Sequence, residues 1–369
     1  MNEFDFIRNL REQTRSRKHS PRLVTGIGDD ASLIAQTANR HLAVTTDLLV
    51  EGIDFHLDAT PPGLLGQKAL AVSLSDIAAM GARPFWSFVS FGLPAEVWKS
   101  DFKERFFAGY LELADRYGVT LAGGDVSRTK DGVVVDSIVL GDVAAGAAVL
   151  RSGAKPGDQI YVTGTLGGAA AGLKLIEMGA RMGDSGLASL PQPGARGNSP
   201  TVRERSEARD LDAELEAIEA VLLRQLRPSA RVGWGIVLGE ERLATAMIDI
   251  SDGLSSDLAH LSAESNVGAL IQSAQIPIDK DVIRLCGRRA LDPLALALHG
   301  GEDFELLFTV SADETARLPK RVDGVPVTHI GEVTDQPGSI RIAEKGRTWD
   351  LPAEGFEHFK DDLTRDPLK

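Results

Sequence analysis

Cysteine is almost absent from the sequence, with Cys286 the single thiol among 369 residues. One thiol cannot form an intrachain disulfide, and such scarcity is typical of proteins from a reducing compartment. Long apolar runs are also missing, and none approaches the length that crosses a bilayer. The acidic first residues lack the basic and apolar regions of a signal peptide. We therefore expect a cytoplasmic protein with no membrane partner.

Positive charge is scarce relative to negative charge. The chain has 53 aspartates and glutamates against 40 lysines and arginines, which gives a formal net charge of −13. This imbalance disfavours binding to bulk nucleic acid, because that affinity depends on basic side chains that neutralise phosphates. An acidic protein that binds polyphosphates needs metal ions to reverse the local field. The length of the chain suits two domains.

Carboxylates occur beside glycines or hydroxyl side chains at six places, most of them at the end of a short apolar run. These places are residues 28–30, 45–47, 75–76, 123–125, 249–253 and 300–303. Clustered acids repel one another unless a cation holds them, so we interpret them as Mg²⁺ ligands in an enzyme that acts on phosphates. Any one of these places alone is more often a turn, and Asp252 could simply cap a helix. The interpretation depends on all of them together.

Composition changes near Leu150, where we place a boundary between two α/β domains. Residues 181–210 are rich in Gly, Pro, Ser and Arg, and we predict a mobile surface insertion there. At the boundary, Arg151 either clamps a nucleotide phosphate or pairs with a surface acid. The glycines of 164–172 lack the Lys-Ser/Thr ending of a phosphate loop, so we expect them to let a helix pack closely on a strand.

Seven motifs, in order along the chain, resemble the thiamine-monophosphate kinase family of the aminoimidazole-ribonucleotide-synthetase-like superfamily. They are GIGDDA at 26–31, TTDLLVEG at 45–52, LSDIAAMGA at 74–82, AGGD at 122–125, LRSGA at 150–154, DISDGL at 249–254 and GGEDFEL at 300–306. The resemblance covers nearly the whole chain apart from residues 181–210. Several motifs in sequence are more specific than any one of them.

The resemblance implies an α/β (α+β) fold with two domains. Residues 1–149 would bind ATP and Mg²⁺ and dimerise, their sheet forming a barrel across a homodimer, and residues 150–369 would form a second α/β domain. The implied reaction is ATP-dependent phosphorylation of thiamine monophosphate to thiamine diphosphate by direct in-line transfer, with several Mg²⁺ ions and no protein nucleophile. Another enzyme of the superfamily with a different phosphorylated substrate, a metal-dependent phosphohydrolase and a non-catalytic nucleotide sensor remain alternatives.

The resemblance also implies site residues, position by position. The Mg²⁺ ligands would be Asp30, Thr45, Thr46, Asp47, Asp76, Asp125, Asp249 and Asp252, with Asp29 as a further candidate. The ATP contacts would be Tyr110, Gly124, Asp125, Arg151 and Ser251. The substrate contacts would be Asp54, Glu302 and Phe356. The family usually has a histidine at the position of Asp54, so either His56 takes over that contact or Asp54 faces the cationic thiazolium.

Overall fold

The computed structural model describes residues 3–15, 20–183, 186–189, 202–289 and 291–356. Its first sheet has six strands in the order β1-β2-β3-β6-β4-β5. These strands are β1 (Leu23–Thr25), β2 (Ser32–Thr37), β3 (Arg40–Val50), β4 (Arg83–Leu93), β5 (Thr120–Arg128) and β6 (Val134–Ala144). Only β4 and β5 run parallel; the other neighbours are antiparallel. The sheet is open among the described residues, so the barrel across a dimer stays a prediction.

One long helix covers the inner face of this sheet. The helices of the first half are α1 (Glu3–Arg15), α2 (Pro62–Ala79), α3 (Ala95–Lys99) and α4 (Phe102–Tyr117). Helix α2 begins at a proline, which suits a first helical position, and ends before Gly81, whose φ of 65° requires a left-handed conformation. A Cβ at Gly109 of α4 would lie 1.9 Å from the carbonyl oxygen of Gly63, so α2 and α4 touch through their backbones.

The second half is built around an eight-stranded sheet in the order β10-β12-β7-β14-β11-β15-β16, with β13 paired to β14, and a separate pair β8-β9. These strands are β7 (Gln159–Thr163), β8 (Arg181–Gly183), β9 (Gly186–Ser189), β10 (Ala244–Asp249), β11 (Gly268–Gln272), β12 (Leu306–Val310), β13 (Arg321–Val322), β14 (Val325–Thr334), β15 (Ile340–Glu344) and β16 (Arg347–Asp350). The helices are α5 (Gly168–Glu177), α6 (Val202–Leu226), α7 (Val232–Glu240), α8 (Leu254–Ser265), α9 (Lys280–Arg289) and α10 (Pro293–His299).

The two halves share one apolar core. Trp234 of α7 and Phe308 of β12 belong to the same buried cluster as Leu74 of α2. A Cβ at Gly235 would lie 2.1 Å from the carbonyl oxygen of Ala78, so α7 also meets α2 at backbone distance. Helix α2 therefore lies between the two sheets and can carry side chains to a site that both halves line. The boundary near residue 150 stays a prediction.

Some sequence expectations need correction. The residues of the 45–47 motif lie inside β3 rather than at its end, and those of the 123–125 motif lie inside β5. Within the predicted insertion, β8, β9 and the start of α6, which begins at Val202, are regular structure. Residues 184–185 and 190–201 lie outside the described part, so mobility there stays a prediction. Among the helices that the structure describes, none is long and apolar enough to span a membrane.

Candidate metal and phosphate site

Three aspartates from three different elements converge at the inner end of α2. Asp30 follows β1, Asp76 lies in the last turns of α2, and Asp249 ends β10. Each offers one carboxylate oxygen, and these oxygens all lie within 4.8 Å of one another. The Oδ2 atom of Asp30 is buried and has no hydrogen-bond partner among the described residues. Closely spaced carboxylate oxygens with an unpaired acceptor are suited to a hard divalent cation.

The electrostatics of this cluster point the same way. Burial, followed by repulsion from Asp30, raises the pKa of Asp249 from 3.8 to about 7. Burial and the nearby charges of Asp136 and Asp30 raise the pKa of Asp47 to about 6. Burial and repulsion from Asp47 raise the pKa of Asp76 well above 3.8. Without a cation these acids resist ionisation, and a bound divalent ion would hold them in the deprotonated form.

Hydroxyl groups orient these carboxylates. Ser75 Oγ donates to Oδ2 of Asp249 at 2.6 Å, and Ser73 Oγ donates to Oδ2 of Asp47 at 2.7 Å. Thr45, predicted as a direct ligand, donates its hydroxyl to Asp76. The sequence motifs did not identify Ser73, and they did not indicate that Ser75 orients Asp249. Their signal was the presence of polar residues in an otherwise apolar helix, where a buried hydroxyl needs a partner.

Arg151 lies at the edge of the cluster. Its Nη2 and Nε atoms donate to Oδ1 of Asp30 at 2.5 and 3.2 Å, and its backbone N–H donates to Oδ1 of Asp29 at 2.8 Å. Arg151 therefore pairs with Asp30, a buried acid of the three-aspartate cluster, rather than with a surface acid. Its contact with an ATP phosphate stays a prediction.

Thr46 and Asp125 lie on the other face of the first sheet. The Thr46 hydroxyl donates to Asp136 at 2.7 Å on the exposed side. In the strand register Asp136 pairs with Ser90, which pairs with Asp125, so these side chains share one face. Asp47 points to the opposite face, because successive residues of a strand alternate. The structure therefore separates Thr46, Asp125 and the adjacent Gly124 from the buried aspartates.

Tyr110, predicted to contact ATP, is 0% exposed within the first core. Its ring stacks on Phe106 with centroids 6.1 Å apart, and burial raises the pKa of its hydroxyl. In this arrangement the ring has no open path to a ligand. The ring packs within the core, and its contact with ATP stays a prediction.

Beside the aspartates lies a cavity of about 790 Å³ that both halves of the chain line. Asp47, Ser251 and Asp252 are among its lining residues, and Asp47 connects it to the three clustered aspartates, which lie behind the lining. Asp252 does not cap α8, because the N-cap residue of that helix is Gly253. The backbone N–H groups of Asp252 and Gly253 both donate to the Asp257 carboxylate.

The three predicted substrate residues meet in this cavity although they are far apart in the sequence. Asp54, Glu302 and Phe356 all contribute to its lining. Phe356 is held there by its backbone N–H, which donates to the carbonyl oxygen of Asp252 at 3.1 Å. Apolar walls complete the cavity, and they are formed by Leu173, Leu291 and Leu296 among others. An apolar chamber beside an acidic cluster suits a ligand with a ring system at one end and phosphate at the other.

Two protein-family models match the chain in succession. The N-terminal domain of AIR synthase related proteins matches residues 28–143, and their C-terminal domain matches residues 155–343. These matches confirm the two-domain α/β fold that the sequence resemblance implied.

Individual relatives match along nearly their full length. The chain is 36% identical over 364 residues to thiamine-monophosphate kinase of Escherichia coli strain K12, which covers 97% of this chain and 98% of the relative. It is 34% identical over 363 residues to thiamine-monophosphate kinase of Bacillus subtilis strain 168, with coverage of 98% and 100%.

Solved structures agree. AaThiL complexed with AMPPCP and TMP superposes with a TM-score of 0.77 at 28% identity, over 97% of both chains. Thiamine-monophosphate kinase of Stenotrophomonas maltophilia K279a superposes with a TM-score of 0.69 at 36% identity, over 94% of this chain and 98% of the other.

Proposed function

The chain belongs to the thiamine-monophosphate kinase family, and we propose that it transfers the γ-phosphate of ATP to thiamine monophosphate, giving thiamine diphosphate and ADP. One observation carries the proposal: Asp30, Asp76 and Asp249 converge beside a cavity that the three predicted substrate residues line. That arrangement offers a cation site at one end and room for a heterocyclic ligand at the other.

The donor set fits Mg²⁺, because carboxylate oxygens are hard ligands. The three buried carboxylates outnumber the cationic side chains that pair with them, and Oδ2 of Asp30 has no hydrogen-bond partner among the described residues. Asp30, Asp76 and Asp249 would hold it, with Asp47 and Asp252 as neighbouring ligands. Bound Mg²⁺ would neutralise and orient the phosphate oxygens of both substrates. Thr45 donates its hydroxyl to Asp76, and its role as a further ligand stays a prediction.

The reaction asks the protein for position rather than for covalent chemistry. A phosphate oxygen of thiamine monophosphate is ionised at neutral pH, so it attacks the γ-phosphorus without a protein base. The new P–O bond forms as the bond from the γ-phosphorus to its bridging oxygen breaks, and ADP leaves with that electron pair. Arg151 and Ser251 contact the nucleotide in this scheme, while Asp54, Glu302 and Phe356 hold the thiamine moiety.

A homodimer forms the second part of the proposal. Strand β5 is an edge of the first sheet, and Val126 on it is 52% exposed beside a groove of about 620 Å³ that Gly124, Asp125 and Trp98 also line. Pairing of two such edges would cover this apolar surface and join the sheets. We also propose that Gly124 and Asp125 contact the nucleotide and that Thr46 and Asp125 bind metal. A cytoplasmic location stays a prediction.

The test is an assay of purified protein with ATP, Mg²⁺ and thiamine monophosphate, followed by chromatography. We expect thiamine diphosphate and ADP in equal amounts, and no product when EDTA removes the metal. Release of inorganic phosphate from ATP without thiamine diphosphate would favour the phosphohydrolase alternative. Tight ATP binding with no turnover would favour a nucleotide sensor.

A further inference from the structure

Lys68 on α2 is a buried cation behind two residues that line the cavity, Asp54 and Glu302, and only 2% of its side chain is exposed. Lysine is rarely buried without a partner, because removing an ammonium group from water is costly. Its Nζ lies 2.6 Å from Oε1 of Glu302 and 3.3 Å from the carbonyl oxygen of Asp54. Lys68 therefore ties together two candidate substrate residues that come from opposite halves of the chain.

Gln225 of α6 holds the other oxygen of the same carboxylate. Its Nε2 donates to Oε2 of Glu302, and its side chain is buried at the cavity lining. Since a carboxylate accepts and does not donate, the amide nitrogen must be the atom that faces Glu302. Both oxygens of Glu302 are thus fixed by donors from two different helices.

The backbone of Glu302 is fixed as well. Its φ is 65°, in the left-handed region that a residue with a side chain seldom adopts, and the φ of Phe304 is 50°. The Glu302 N–H donates to the carbonyl oxygen of Ser251 at 2.7 Å, and the Phe304 N–H donates to that of Ile250 at 2.9 Å. Backbone conformations of this kind persist where surrounding contacts enforce them, and they cluster at functional sites.

Helix α2 sets the position of Lys68 and its partner Glu302 relative to the cluster of Asp30, Asp76 and Asp249. Lys68, Val72 and Asp76 lie four residues apart and so share one face of the helix. Eight residues of helix span about 12 Å, so on that face Lys68 and Asp76 lie about two turns apart, on either side of Val72, which lines the cavity. Glu302 and Val72 both line that cavity, and the Glu302 side chain keeps 28% of its surface exposed.

We propose that Lys68 and Gln225 are positioning residues that hold Glu302 as the acceptor for the ring end of the substrate, remote from its phosphate. This inference rests on the proposed function, because thiamine monophosphate carries an aminopyrimidine ring at that end, whereas its cationic thiazolium bears the phosphate-linked chain. A carboxylate whose two oxygens are both hydrogen-bonded has a fixed orientation, so its remaining lone pairs point in a fixed direction. The Lys68 ammonium group also lowers the desolvation cost when a ligand covers the carboxylate. Losing either donor weakens binding of thiamine monophosphate and leaves phosphoryl transfer intact.

The experiment is a double-mutant cycle with Lys68→Met and Glu302→Gln, measured as KM and kcat for each substrate. We expect Lys68→Met to raise the KM for thiamine monophosphate about tenfold, with kcat and the KM for ATP within about twofold of wild type. In the Glu302→Gln background the same change should add less than about twofold, because the two residues act as a unit. Lys345→Met removes an equal charge from a side chain that is 89% exposed, and should leave every constant unchanged.

A second variant covers the case in which Lys68→Met does not fold. Gln225→Leu keeps a similar volume, removes only the bond to Oε2 of Glu302, and should raise the same KM. An equal rise in KM for Lys68→Met with and without Glu302, or an unchanged KM in both Lys68→Met and Gln225→Leu, would overturn the inference. If the wild-type protein makes no thiamine diphosphate, the proposed function itself fails, which is a distinguishable result.

Discussion

At the scale of single residues, the buried aspartates favour a bound cation over a stable empty site. Asp249 is buried next to Asp30 and Asp76, and its pKa is raised to about 7, so above that pH the metal-free protein holds closely spaced negative charges. A group whose folded pKa lies above its unfolded value contributes stability at low pH that is lost as the pH rises through that window. Removing the charge of Asp249 should therefore preserve or raise the stability of the metal-free protein while it lowers catalytic activity.

We predict that Asp249→Asn keeps or raises the thermal midpoint of the metal-free protein at pH 8 while lowering turnover at least about 100-fold. The amide removes the repulsion, and its oxygen still accepts from Ser75, but it is a poor Mg²⁺ ligand. Thermal unfolding in EDTA and the thiamine diphosphate assay measure the two effects. The exposed Asp335→Asn is the control, and a lower midpoint together with near-normal turnover would contradict the prediction.

His260 gives a pH dependence of the opposite sign. Burial, with Arg151 nearby, lowers its pKa from 6.5 to about 4. Below pH 6.5 His260 is therefore protonated in the unfolded chain but stays neutral in the folded protein. The free energy of unfolding decreases as the pH falls towards 4. Between pH 7 and 4.5, urea unfolding should show that wild type loses about 2 kcal/mol more than His260→Gln. Parallel pH profiles for the two proteins would show that His260 titrates normally.

The sequence motifs identified most of the clustered acids, but they did not show towards which side of the sheet each side chain points. Asp30, Asp76 and Asp249 could be named from the sequence because acids beside glycines or serines stand out. Thr46 and Asp47 were assigned to one site, yet neighbouring residues of an extended strand face opposite sides of the sheet. Lys68 and Gln225 were not identified, because their partner Glu302 lies more than 70 residues away in the sequence and no local pattern joins them.

At the scale of elements, α2 carries both Lys68 and Asp76 and depends on close contact with α4. A Cβ at Gly109 would lie 1.9 Å from the carbonyl oxygen of Gly63, and one at Gly66 would lie 2.0 Å from that of Phe106. Both contacts are with backbone, which cannot rotate away. The bounds of α2 were predictable because a proline and a glycine mark them, whereas the charged first turns of α6 gave no apolar stripe to recognise.

We predict that Gly109→Ala destabilises the protein by about 2–4 kcal/mol, since the methyl group must push α2 and α4 apart. Gly287→Ala on α9 is the matched control, because no atom of the described residues lies within 4 Å of the added Cβ. That change should be neutral or stabilising by up to about 1 kcal/mol, the usual gain of alanine over glycine in a helix. Urea unfolding measures both, and equal effects would show that the helix contact does not limit stability.

At the scale of the whole molecule, the site exists only because two halves share a core. Asp76 comes from the first half and Asp249 from the second, and α7 packs against α2 beside them. The α/β class and the two-part organisation followed from the sequence pattern. The common core could not be predicted, because the sequence shows which residues are apolar but not which distant segments they meet.

The open edge at β5 leads to a prediction about assembly. Wild-type protein should sediment as a dimer at micromolar concentration, and Val126→Lys should shift it towards monomer by placing charge on the covered edge. Ile283→Lys changes a similarly exposed apolar residue on α9 and should leave the dimer intact. A wild-type monomer, or loss of the dimer in the Ile283 variant alone, would contradict an interface at β5.

The most direct test of the metal site is a crystal structure with AMPPCP, thiamine monophosphate and Mn²⁺ in place of Mg²⁺. Anomalous scattering locates the metal without reference to the protein atoms. We predict peaks bonded to carboxylate oxygens of Asp30, Asp76 and Asp249, between the two sets of phosphates. Peaks only elsewhere, with these carboxylates free of metal while both ligands are bound, would contradict the account.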